Sequence, residues 1–154
     1  MSREEIAEKW LNKVLADLRV AEKLLEIGEE PWVVAFHAQQ AVEKALKAYL
    51  VLHGKHFGKT HNLSQLIDLC SEIDREFQRL HELGVDELYP LAIEARYPDT
   101  GIEVTADEAE EAVEKAKTAM HFIMRKIEGG KTKELRSHAD LLGCCNSNDK
   151  FKYL

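Results

Sequence analysis

The sequence predicts an all-α protein, an up-and-down bundle of four main helices plus one short helix over residues 1–128. Three observations lead there. Apolar residues recur every three to four positions in each sustained run, the spacing that builds one apolar stripe on a helix. Ser2 with Glu5 and Thr105 with Glu108 have the spacing of capping boxes, which mark helix starts, and glycines stand where the runs stop. No stretch before residue 129 alternates with the period of two that a half-buried strand requires.

The first helix carries Ile6, Trp10, Val14, Leu18, Ala21 and Leu25 and stops at Gly28. Glu29-Glu30-Pro31 opens a second, with proline in its first turn and an apolar-rich run from Trp32 to Leu52 before Gly54. The stretch HGKHFGKTH from His53 to His61 has two glycines and no periodicity, and reads as a loop. Leu63, Leu66, Ile67, Cys70 and Ile73 mark a third helix, expected to run on, bent, through Phe77, Leu80 and Leu83 to Gly84. Asp86 to Ala95 is a short fourth helix with Pro90 near its first turn, closed by Pro98. Ala109, Ala112, Val113, Ala116, Met120, Ile123, Met124 and Ile127 line the last helix, which ends before Gly129-Gly130. Residues 129–154 are polar and aperiodic, and are expected to be a flexible tail or an appended extension.

At 154 residues the chain has the size of one domain that buries a core without disulfides. The net charge is −7, and with five of the 21 basic and three of the 28 acidic residues in the tail, residues 1–128 stand at −9. That excess of acid argues against a non-specific grip on duplex DNA or on an anionic membrane. No run approaches the roughly 20 apolar residues of a membrane span, and SREEIAEKW lacks the form of a signal peptide, so a cytoplasmic location is expected. Cys70, Cys144 and Cys145 form neither a disulfide framework nor a spaced zinc set, and no metal is expected.

Three stretches carry chemistry. On the second helix His37, Gln40, Lys44 and Lys47 fall in one narrow arc, a solvated face on the plainest reading and a phosphate- or subunit-contacting surface on the alternative. His53, His56 and His61 lack the spacing and the fourth ligand of a metal site; His61 lies beside the start of the third helix, where an imidazole suits an anion or a base. The stop EARYPDT concentrates Arg96, Tyr97 and Asp99 next to Pro98. A cation in a last helical turn, a packed phenol and a turn aspartate each have ordinary roles, but together they also make a binding cluster.

The helix-two segment FHAQQAVEKALKAYL, the loop ending THNLSQL, the ARYPD stop and the last-helix run AEEAVEKAKTAMHFI, in this order, resemble the HEPN domain family over residues 1 to about 128. The resemblance implies a helical bundle, usually a homodimer, often encoded beside a minimal nucleotidyltransferase in a toxin–antitoxin-like pair. It also implies a nucleotide or RNA ligand. Many members are metal-independent endoribonucleases with an arginine followed, after four to six residues, by histidine. Arg96 stands at that arginine's place, but the positions for the histidine are Gly101, Ile102 and Glu103. Arg75 and His81 meet the bare spacing on the third helix, and are read as a coincidence on a solvated face.

Arginine stays protonated and cannot act as the base that RNA cleavage needs. The expectation is therefore a non-catalytic or weakly catalytic module that binds a nucleotide or RNA through Arg96, Tyr97, Asp99 and His61, with His37 and Lys44 as further candidates, and needs no cofactor. The alternatives are an endoribonuclease that recruits a histidine in space, and a purely structural or antitoxin-docking dimer.

Overall fold

The computed structural model describes residues 1–129. The expectation for the tail lies, beyond Gly129, outside the described residues. Six helices follow in order: α1 Arg3–Ile27, α2 Pro31–Leu52, α3 Leu63–Ile73, α4 Arg79–Glu82, α5 Leu88–Glu94 and α6 Ala106–Glu128. Both capping boxes form. The Ser2 hydroxyl accepts from the Glu5 amide while the Glu5 carboxylate accepts from Ser2, and Thr105 and Glu108 repeat the exchange at α6.

Helix α2 is the axis of the bundle. It packs along α1 and α6 and also meets α3 and α5. Its sequence allows this because Val34, Ala35, Ala38, Ala41, Val42, Ala45, Leu46, Ala48 and Leu50 are small or aliphatic on nearly every side, so neighbours approach closely from several directions. At its C-terminal end Tyr49 stacks 4.5 Å from Phe77, which meets Phe122 of α6 edge to face at 5.1 Å. Aromatic pairs of this kind contribute about 0.5–1.5 kcal/mol beyond their buried area. Burial there pushes the Tyr49 phenol up to about 12.

The third helix is shorter than its apolar pattern suggests. It ends at Ile73 because Asp74 is extended, at φ −142° and ψ 109°, and caps the next turn. The Asp74 carboxylate accepts from the Glu76 amide at 3.0 Å and from Lys126 of α6 at 2.6 Å. A 3-10 turn, Arg75–Gln78, and one-turn α4 then carry Phe77 and Leu80 into the same core, which is why the spacing continued across the break. Another 3-10 turn, Val85–Glu87, precedes α5.

His81 is not on a solvated face. Its Nε2 lies 2.9 Å from Asp68 of α3 and its Nδ1 3.2 Å from Asp86, so one imidazole clasps the break from both sides. Burial works against a charged ring, but the two carboxylates outweigh it and hold the His81 pKa above the ordinary imidazole value. Among the described residues no helix is long and apolar enough to cross a membrane.

Candidate functional site

The polar arc of α2 faces α1 rather than water. Asp17, buried on α1, contacts His37 Nδ1 at 2.9 Å and also pairs with Lys44 Nζ. Lys47 keeps only 6 % of its side-chain surface exposed. The expectation of a solvated face fails for a physical reason: α1 covers the arc and supplies the carboxylate that makes covering it tolerable.

One step around α2 lies a second network. The buried Glu43 carboxylate accepts from Lys47 Nζ at 2.8 Å and from Gln39 Nε2 at 3.1 Å, and its Oε1 stands 2.9 Å from His61 Nδ1. Gln40 completes it by donating from Nε2 to the Gln39 side-chain oxygen Oε1 at 2.8 Å. The Lys47 ammonium also lies 5.7 Å from the Trp10 ring centre and 5.5 Å from that of Phe57, so aromatic faces supply attraction where water is excluded. His61 is the outlet of this network. Its Nδ1 is committed to a carboxylate that is 4 % exposed, while the His61 side chain is 65 % exposed and presents Nε2 as its free nitrogen.

The Arg-Tyr-Pro-Asp stop sits against the first half of α2. Pro98 pushes Tyr97 into extended backbone at φ −105° and ψ 119°, and the Thr100 hydroxyl donates to the carbonyls of Glu94 and Tyr97 at 2.9 and 2.8 Å, pinning the turn. So held, the Arg96 guanidinium carbon lies 5.2 Å from the ring centres of both Phe36 and Tyr97. Its Nη2 donates to the Tyr97 hydroxyl at 3.0 Å. Among the described residues no carboxylate pairs with it, and Tyr97 is 50 % exposed. An exposed cation oriented by aromatic rings and not neutralised by an acid can clamp an incoming phosphate. Asp99 is exposed in the turn Pro98–Thr100, on the same stop.

The six expected residues thus divide. Arg96, Tyr97 and Asp99 share one exposed turn. His37 adjoins it, its ring 5.5 Å from that of Phe36, but is engaged by Asp17 together with Lys44. His61 docks on Glu43, seven residues beyond Phe36 on the same side of α2, hence about 10 Å further along the axis. Asp17, Phe36 and Glu43 were not anticipated as parts of a site. The available signal was an acid buried inside apolar helical pattern: Asp17 follows Val14 and Leu15 on α1, and Glu43 stands between Val42 and Ala45. Among the described residues no group of three His, Cys, Asp or Glu side chains is placed to hold a metal ion.

The sequence profile of the HEPN domain matches residues 7–127, from the first turns of α1 to the last of α6. This chain belongs to the HEPN family. No curated protein and no solved structure matches it. Membership marks it as a nucleotide- or RNA-related module, and the match spans both the Arg96 turn and the Glu43 network.

Proposed function

We propose that this HEPN domain binds a nucleotide or RNA at the Arg96 turn, without catalysis or with only weak catalysis. The observation that carries the reading is the Arg96 guanidinium, held over Phe36 and Tyr97 and free of any carboxylate among the described residues. In this role Arg96 clamps a phosphate with its planar fork, and the exposed Tyr97 ring stacks on a base. Asp99 reads a polar base edge and His37 borders the site. The acid–base partner that cleavage requires is two helical turns away at His61. The partnership, a homodimer working with a minimal nucleotidyltransferase in a toxin–antitoxin-like pair, draws its support from the family resemblance. Anisotropy titration of a labelled single-stranded oligoribonucleotide tests the binding; co-purification with a nucleotidyltransferase encoded beside the gene tests the pairing.

A second reading is favoured by one feature, the Glu43–His61 pair. A buried carboxylate that fixes Nδ1 and leaves Nε2 outward is the arrangement of a general base. On this reading a second copy of the chain brings its Arg96 to His61, and the protein is a metal-independent endoribonuclease. RNA cleavage in excess chelator, lost in both Arg96→Ala and His61→Ala, would establish it; RNA left intact by the wild type would reject it.

A further inference from the structure

From Lys44 through Ile67 the chain contains no acidic residue, although acids number 28 in 154 overall. The middle of this stretch is the α2–α3 loop, residues 53–62. Gly54 and Gly58, both at φ +64°, fold it back on itself, a backbone that side chains other than glycine rarely adopt. The fold-back leaves a cleft of about 370 Å³ lined by Val51, Gly54, Lys55, His56, Phe57 and Gly58. From the start of α1 the Arg3 guanidinium lies directly on Gly54, in the place a Cβ would take. Lys55 is held by Glu72 of α3, but Arg3, His56 and Lys59 have no carboxylate partner among the described residues.

We propose that this loop is a second anion site, separate from the Arg96 turn, that takes a phosphate ester of a nucleotide or an RNA strand. His56 and the Glu72-paired Lys55 line the cleft, the Arg3 guanidinium lies on Gly54 at its edge, and Lys59 follows Gly58 directly in sequence. A guanidinium and an imidazole without carboxylate partners among the described residues match the several oxygens of a phosphate better than a lone carboxylate. The charge is local: in a segment 1–128 that stands at −9, the loop is a stretch without acids whose cations favour an anion against the acidic balance of the whole. The cleft volume falls within the range of small-ligand sites. Val51 lies fifteen residues beyond Phe36 on α2, so the two sites are separated by about 22 Å along the helix, a span a short single strand can bridge. The loop's charge and shape do not depend on Arg96.

The test is titration of the full chain with pyrophosphate, observed by amide and imidazole NMR signals, with sodium chloride at matched ionic strength as control. Gly54, Gly58 and His56 report the loop, while Arg96 and Tyr97 report the other site, so either can fail alone. The expected result is saturable movement of the loop signals by pyrophosphate and not by chloride, weakened at least about tenfold in the double variant His56→Ala with Lys59→Ala. Both substituted side chains are exposed, and the remaining spectrum verifies the fold. Adenosine monophosphate and a short oligoribonucleotide then separate the sources: the strand moves loop and Arg96 signals in one saturation step, the free nucleotide moves them independently. Loop signals that stay still, that respond equally to chloride, or that respond undiminished in the double variant would overturn the proposal.

Discussion

Glu43 and His61, eighteen residues apart in sequence, meet at 2.9 Å, joining a carboxylate sealed in the bundle to an imidazole open to water. The same carboxylate neutralises Lys47, so one buried acid serves an internal ion pair and an exposed ring. Charge in a helical core is retained only when every partner is present.

The Glu43–Lys47 pair is expected to behave non-additively. Glu43→Leu or Lys47→Met alone strands a buried charge and costs about 3–5 kcal/mol, whereas the two together cost less than either. Urea denaturation of the two single variants and the double checks this.

Stability is expected to depend on His81 near neutrality. Folding raises its pKa, so its contribution is whole below the unfolded value near 6.5 and is lost as pH climbs through the higher folded value. The effect is at most about 1 kcal/mol, since Asp68 is largely exposed. Melting temperatures across this window should fall for the wild type and lose that slope in His81→Gln.

Asp74 gives the opposite dependence. The Lys126 bond, helped by the Glu76 amide, outweighs burial and holds its carboxyl below the ordinary carboxylate value. Its contribution is present above the unfolded value near 3.8 and lost as pH falls through the lower folded one. Lys126→Met should flatten the acid limb of the stability profile, measured by circular dichroism.

Gly54→Ala should destabilise the protein by about 1–2 kcal/mol, because the left-handed backbone is strained for alanine and the new methyl displaces Arg3. Gly58→Ala carries the same backbone strain with open space around it, so thermal melts of the pair isolate the contribution of Arg3.

Much of the bundle was legible because its signals are local. Capping at Ser2 and Thr105 and the stripes of α1 and α6 depend on neighbours within a turn or two. The break at Asp74 was missed because Phe77 and Leu80 keep a helical spacing across it, while the cap that makes it relies in part on Lys126, about fifty residues away. The site divided in the same way. Arg96, Tyr97 and Asp99 are adjacent in sequence, and Pro98 fixes their turn. Which cations remain available is a tertiary matter: Lys44 and His37 look as free as Arg96 until α1 brings Asp17 to them.

The central claim is that Arg96 holds a phosphate, and the most direct measurement is the affinity of a single-stranded oligoribonucleotide for the wild type, Arg96→Lys and Arg96→Ala. The cation–π contacts of an exposed arginine contribute about 0.5–1 kcal/mol, so both variants should stay folded with nearly unchanged melting temperatures. The predicted result is binding by the wild type, weakening of about tenfold or more in Arg96→Ala, equal to about 1.4 kcal/mol, and only partial recovery in Arg96→Lys, which keeps the charge but loses the planar fork. Equal affinity in all three folded proteins, or none in the wild type, would contradict it.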